Sequence, residues 1–297
     1  MKTTIISLLA LICMLGCNGG KEKTDFEAKT EKKGPAAKVA TGYAEVNGMR
    51  MYYEIHGKGE PIVLLHGAYM SMEGPMKKVA EKLSPNRKVI LAELQGHGRT
   101  GDIGRAITYE SLGDDIAALM RHLKIDSADV MGYSMGAGAA LQLAVRHPGL
   151  VKKAVLISGS YSDKGVQPSL KPMIPQMSAD MFAGSPMKTE YNQLSPDSTK
   201  FPVLVEKLKA LDMKEYDWEK DYVKIRKPLF LIFGDSDVVV MDHINDMFTK
   251  LGGNVMGDLT PMPNVRLAVL PYTSHINAIN RVDWFAPMVD EFLGIEK

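Results

Sequence analysis

Short apolar runs recur along the chain in an order that predicts its architecture. Tyr43 to Val46 and Met49 to Ile55 flank Asn47-Gly48, the strongest short-range hairpin signal, because both turn residues tolerate a positive φ. Four further runs, Ile62–Leu65, Lys88–Leu94, Ala128–Met131 and Val151–Ile157, are rich in Val, Ile and Leu and read as buried strands. Helical patterns separate them. The clearest is Tyr109–Leu123, where Leu112, Ile116, Leu119, Met120 and Leu123 recur at three- and four-residue steps. Strand followed by helix, repeated, predicts a parallel sheet covered on both faces.

The alternation stops after Ser158. The next stretch carries Pro168, Pro172, Pro175, Pro186, Pro196 and Pro202, many methionines and only short helical patterns, and reads as an insertion at about residues 160–224. Strands resume at Pro228–Phe233 and Val265–Leu270, and a closing helix runs from about Trp284 to Leu293. Parallel sheets bind ligands beyond the carboxyl ends of their strands, so an insertion after a strand stands where it can roof a site.

The amino-terminal residues follow a different pattern. Lys2 precedes a run from Ile5 to Leu15 that is apolar except for Ser7, which is a secretory signal too short for a permanent span. Its ending, Met14-Leu15-Gly16-Cys17, resembles the bacterial lipobox. That resemblance implies cleavage before Cys17, acylation of Cys17, and a protein held in the cell envelope at a membrane. From there to about residue 41 Lys and Glu are interspersed without an apolar period, as expected of a solvated tether. The folded domain is expected over residues 42–297.

Charge narrows the partners. The 36 basic and 35 acidic residues give a formal charge of +1, with no basic excess to neutralise nucleic acid. Only two cysteines occur, Cys13 within the signal and Cys17 at its end, so the domain itself can form neither a disulfide nor a thiolate-zinc site. No H-E-x-x-H, P-loop or G-x-G-x-x-G stands in a supporting context, so neither a metal nor a nucleotide cofactor is expected.

The candidate chemistry sits at strand ends. Gly132-Tyr133-Ser134-Met135-Gly136 is a G-x-S-x-G sequence between a predicted strand and a predicted helix. A serine on so tight a turn has strained backbone angles, and glycines two before and two after let strand and helix pass closely. A serine nucleophile needs a base, and the base needs an orienting carboxylate. Downstream, Pro228–Phe233 ends in Gly234-Asp235-Ser236-Asp237, and Leu267–Leu270 leads to Pro271-Tyr272-Thr273-Ser274-His275. Two further turns fit: Leu65-His66-Gly67-Ala68 closes the first parallel strand, and Gly96-His97-Gly98-Arg99-Thr100 follows the second.

In these motifs the chain from Gly42 to Leu293 resembles the α/β-hydrolase superfamily, in its esterase and enol-lactonase-like branch. The resemblance implies a mostly parallel eight-stranded sheet, helices on both faces and a small helical cap. It also implies a triad of Ser134, Asp237 and His275 and an oxyanion hole formed by the Ala68 and Met135 amides. Asp237 is preferred over Asp235, which is expected to support the loop. Glu93 and Gln95 depart from the family's usual Asp and Arg beside the second turn. The implied activity is hydrolysis of a small carboxylic ester or lactone. Carbon–carbon bond hydrolysis and perhydrolysis share the triad and stay open, as does a ligand-binding lipoprotein that keeps the shell without turnover.

Other candidates have plainer readings. His66 and His97 are expected to hold loops, while His56, His122 and His147 are expected at the polar surface. Asp242-His243 is expected to cap a helix. Met173, Met177 and Met181 are expected to pack the insertion onto the core or to form a pliable apolar wall. No function is assigned to the long link from Gly252 to Pro263.

Overall fold

The structure, a computed structural model, describes residues 39–294. Cys17, the signal and the tether up to residue 38 lie outside the described residues. The strands are β1 (Ala40–Val46), β2 (Met49–His56), β3 (Pro61–Leu65), β4 (Lys88–Ala92), β5 (Ala128–Tyr133), β6 (Val151–Ile157), β7 (Leu229–Ser236) and β8 (Val265–Ser274). They form one eight-stranded sheet in the order β1-β2-β4-β3-β5-β6-β7-β8. Only β2 runs against the rest. Asn47 and Gly48, with φ of 47° and 81°, close the β1–β2 hairpin at the expected place.

The buried strands show why their sequences are continuously apolar. Ile62 and Leu64 of β3 enter one core with Val89 and Leu91 of β4, whereas Val63 and Leu65 enter the opposite core with Ile90 and Ala92. Side chains alternate across the sheet, and both faces are covered. The first core is closed by α1 (Pro75–Leu83) and by a helix spanning Val282–Leu293, through Met76, Val79 and Leu83 on one and Phe285, Val289 and Phe292 on the other. Opposite them lie α2 (Tyr109–His122) and α3 (Met135–Arg146), with Leu112, Ile116, Leu141 and Leu143 buried. At the amino-terminal ends of the parallel strands Arg87 donates to Asp129 and to the Leu293 carbonyl, which fastens the closing helix to the start of β5.

Several boundaries differ from the sequence reading. The second parallel strand stops at Ala92, because Glu93 turns its buried carboxylate back to Arg99. Helix α1, which the sequence reading did not single out, carries the three- and four-residue helical step in Met76, Val79, Ala80 and Leu83, which share one buried face, with Pro75 at its first turn.

The insertion after β6 is helical in short pieces: α4 (Pro186–Leu194), α5 (Phe201–Met213) and α6 (Glu219–Tyr222), preceded by single 3₁₀ turns. The four-residue step of Met173, Met177 and Met181 belongs to those turns and not to one helix, and only Met177 is fully buried. After β7 comes α7 (Met241–Lys250), then α8 (His275–Ala278) after β8, and α9 is the closing helix Val282–Leu293.

Asp242-His243 does not cap α7. Val240 occupies the cap position without a side-chain bond, and His243 turns its ring onto Tyr161, 4.4 Å between centroids, and bonds Ser160 at 2.8 Å. The pull is tertiary: a half-buried imidazole gains an aromatic contact and a hydroxyl partner from the insertion, neither of which a helix start could supply. Between Gly252 and Pro263 the chain forms turns, with Leu259 and Met262 each 77% exposed.

Candidate active site

Ser134 stands between β5 and α3 with φ 54° and ψ −117°, a backbone conformation that an L-residue adopts only when the surroundings impose it. The surroundings here are two close approaches. A Cβ on Gly132 would lie 2.1 Å from the Gly136 carbonyl oxygen, and one on Gly136 would lie 2.4 Å from that of Leu65. Larger residues at either position would push the turn apart. The Ser134 amide donates to Ile157 of β6 at 2.9 Å, which pins the turn to the neighbouring strand.

The Ser134 hydroxyl is 2.9 Å from His275 Nε2, and His275 Nδ1 is 2.8 Å from Asp237 Oδ1. An ionised carboxylate only accepts hydrogen bonds, so Nδ1 carries the ring proton and Nε2 is left to accept from the serine. Burial alone would raise the pKa of Asp237. The hydrogen bond and charge of His275, the Ser158 hydroxyl at 2.5 Å and the Gly234 amide at 3.1 Å reverse this and hold it below the usual carboxylate range. The acid is therefore charged at neutral pH.

Asp235 is placed differently. Its two carboxylate oxygens accept from the Tyr272 and Thr273 amides at 2.7 and 3.0 Å, which holds the loop carrying His275, and the same amides lower its pKa. It has no hydrogen bond with the imidazole. Two residues that the sequence reading passed over complete the frame. Ser158 has a φ of 55° at the end of β6 and reaches Asp237, while Tyr133 donates to the His275 carbonyl at 3.0 Å. The only sequence signal for Ser158 is its place at the end of a parallel strand next to the strand of the acid.

Met135 follows Ser134 directly, and Ala68 lies in the loop after β3, whose Leu65 and His66 carbonyls pack against Gly136. Met135 is the first residue of α3, whose amide has no carbonyl one turn earlier to bond. Among the described residues neither the Met135 nor the Ala68 amide donates a hydrogen bond. The loop bearing Ala68 is fixed by two buried imidazoles. His66 donates from Nδ1 to the Gly67 carbonyl and accepts the Leu94 amide at Nε2. His97 donates to the Gln95 carbonyl and accepts the Tyr69 amide.

The departures at Glu93 and Gln95 are built in. Glu93 accepts the Arg99 amide and guanidinium, and a Cβ on Gly98 would lie 2.3 Å from its carboxyl, so the longer acid needs the glycine there. Burial lifts the Glu93 pKa to about 7 against the pull of Arg99. Gln95 takes Arg105 on its carbonyl oxygen and gives its amide to Asp102. Of the remaining histidines, His122 is exposed, whereas His56 and His147 are half-buried and bond Glu54 and Asp114 at 2.9 and 2.8 Å.

Burial pushes the pKa of His66 down to about 3 and that of His97 down to about 4. Both folded values lie below the 6.5 of a free imidazole, so this contribution to stability is complete above pH 6.5 and is lost as pH falls towards the folded values. His66→Gln is expected to make the loss of stability between pH 6 and 4.5 shallower than in the wild type by about 1.4 kcal/mol per pH unit. Urea unfolding at several pH values measures both slopes. Equal slopes would show that His66 is protonated in the folded protein.

A surface cleft of about 490 Å³ lies between Glu73 and α4 and includes none of Ser134, Asp237 and His275. The hydrogen-bonded chain of three side chains, and not that cleft, marks the candidate site.

Residues 60–186 match the family model described as the α/β hydrolase fold. The crystal structure of an enol-lactonase from Burkholderia xenovorans LB400 superposes with a TM-score of 0.64 at 23% identity, over 84% of this chain and 99% of that one. The chain has the α/β-hydrolase fold. Naproxen esterase from Bacillus subtilis superposes with a TM-score of 0.62 at 16% identity, over 87% of this chain and 92% of the esterase. In sequence, a non-heme haloperoxidase of Rhodococcus erythropolis is 30% identical over 112 residues, 37% of this chain and 41% of that protein. The chain thus spans less than half the length of these and other curated relatives that it matches. The matched sequence runs from β3 to the first residue of α4 and holds the Ala68 loop and the Ser134 turn, whereas Asp237 and His275 lie beyond the matching family model.

Proposed function

We propose that the protein is a serine hydrolase that cleaves a small carboxylic ester or lactone through an acyl-enzyme. One observation carries this reading: a strained, half-buried serine hydroxyl bonded to an imidazole that is itself bonded to a buried, charged carboxylate. Ser134 Oγ attacks the carbonyl carbon while His275 Nε2 takes its proton. The carbonyl oxygen becomes an oxyanion that accepts from the Ala68 and Met135 amides. Collapse expels the alcohol, which takes the proton back from Nε2, and water repeats the sequence to release the acid. Asp237 fixes the tautomer and stabilises the imidazolium. None of these steps calls for a metal or an organic cofactor.

Two structural neighbours are named for acyl substrates, an enol-lactonase and an esterase, which agrees with this reading. Carbon–carbon bond hydrolysis and perhydrolysis would use the same three residues. A shell without turnover is disfavoured because serine, base and acid are all present and hydrogen-bonded. Incubation with a fluorophosphonate is expected to add one phosphonyl group at Ser134, and p-nitrophenyl esters of short acids are expected to release nitrophenolate. Absence of both would overturn the reading.

The Met14-Leu15-Gly16-Cys17 sequence further supports export and attachment to a membrane through acylated Cys17. Mass spectrometry of the mature amino terminus is expected to find a lipidated Cys17. An unmodified start elsewhere would refute the anchor and leave the hydrolase reading untouched.

A further inference from the structure

Among the described residues β8 (Val265–Ser274) is the last strand of the sheet and pairs with β7 alone. No backbone group of its Arg266–Leu270 stretch bonds anything outside the sheet there. Such an edge is commonly blunted by charge, proline or a covering segment. Arg266 and Pro271 only bound it here, and Leu267-Ala268-Val269-Leu270 between them are uncharged, with Val269 37% exposed.

Each end of this edge carries an exposed apolar patch. Before β8, in the link from Gly252 to Pro263, stand Val255, Met256, Leu259 and Met262, with exposures from 45% at Val255 to 77% at Leu259 and Met262. At the other end Tyr272 is 91% exposed, and Ile276 and Trp284 are exposed as well. Arg281 ties this second patch together, donating to the Tyr272 carbonyl at 3.0 Å and lying over the Trp284 ring at 4.5 Å. Tyr272 has a φ of 50°, a strained backbone held by the Asp235 carboxylate on its amide and by Arg281 on its carbonyl. The patches also differ in charge. Asp258 belongs to the first and Arg281 to the second, and among the described residues neither is in an ion pair. Ten residues of strand, about 30 Å at the usual rise, separate the two ends.

We propose that β8 is the interface of a two-fold dimer, in which the β8 strands of two copies pair antiparallel and each end patch meets the opposite end patch of the other copy. Antiparallel pairing brings the start of one strand to the end of the other, so each patch needs to fit only its counterpart. With Val269 on the axis, Met262 stands near Ile276 of the other copy, and Asp258 near its Arg281. A strand fills the open row of backbone donors and acceptors, which a lipid surface could not satisfy. Opposite charges at the two ends favour a second copy over an unrelated strand. Side chains of about 200 Å² each, at these exposures, present on the order of 800 Å² per copy, the contribution of one partner to a standard interface. The link from Gly252 to Pro263 thus acquires a role, and one copy's link lies against the residue that follows His275 in the other. The inference goes beyond the hydrolase reading and does not depend on it.

Sedimentation equilibrium of the full chain is expected to show a dimer that dissociates at about micromolar concentrations. Val269→Lys sets two like charges at the axis and is expected to raise the dissociation constant at least about tenfold. Asp258→Arg and Arg281→Asp are each expected to raise it by a similar factor, and both in one chain to bring it back to within about threefold of the wild type. A folding defect cannot imitate that rescue. A chain still monomeric at about 100 µM would overturn the inference, and its binding to phosphatidylcholine vesicles would then assign the patches to lipid. A dimer that survives Val269→Lys and both charge reversals would overturn it too, because the interface would lie elsewhere. Fluorophosphonate labelling of Ser134 reports on the hydrolase reading separately.

Discussion

Ser134→Ala is expected to lower ester turnover by about 10⁴- to 10⁶-fold, the loss that follows removal of a triad serine. The argument is local. Only the hydroxyl touches His275, and the turn is held by the Ser134 amide and by the close approaches at Gly132 and Gly136, none of which the substitution alters. Circular dichroism and the urea midpoint should therefore match the wild type. Ser134→Gly should be as inactive but behave differently on unfolding. At φ 54° and ψ −117° glycine escapes the strain that serine and alanine share, a cost of about 1–3 kcal/mol, partly offset by its greater freedom when unfolded. The glycine variant should thus be at least as stable as the alanine variant. Wild-type turnover in either would remove Ser134 from the mechanism, and a glycine variant clearly less stable than the alanine variant would mean that the turn is not strained.

The sheet was legible because its strands are buried on both faces and carry unbroken apolar runs bounded by turn residues, as at Ile62–Leu65 and Leu229–Phe233. The Asn47-Gly48 turn declared the hairpin for a similarly local reason. In the insertion, local signals failed. The methionine step at 173, 177 and 181 imitates a helix, but Pro172 and Pro175 cut the chain into 3₁₀ turns, and what decides burial is contact with α5 and the core. His243 shows the same limit from another side: its position in sequence suggested a cap, and its partners Ser160 and Tyr161 are some eighty residues away.

The site follows the same division. Ser134, Asp237 and His275 could be named in advance because each ends a strand, and parallel strands bring their carboxyl ends together. Ser158 and Tyr133 act only through their neighbours, on Asp237 and on the His275 backbone, and nothing in their own spacing announces it.

The choice between the two aspartates gives the second large effect. Asp237→Asn is expected to cut turnover by about 10⁴-fold, because an amide facing His275 can donate to Nδ1 and so favours the tautomer whose Nε2 carries the proton. That imidazole can no longer accept from Ser134. The substitution also removes the negative charge that steadies the imidazolium during attack, and the asparagine oxygen can still accept from Ser158 and Gly234, so the loop should keep its shape. Asp235→Asn should act in the opposite proportion. It weakens the acceptor for two backbone amides, Tyr272 and Thr273, at a cost of about 1 kcal/mol in stability, and should change turnover by less than about tenfold, since its carboxylate has no hydrogen bond with the imidazole. Parallel measurement of kcat/KM and of the urea midpoint for both variants separates the two effects. A larger catalytic loss in Asp235→Asn, with its fold intact, would move the acid to Asp235 and would mean that the 2.8 Å bond between Asp237 and His275 is not the one that orients the base.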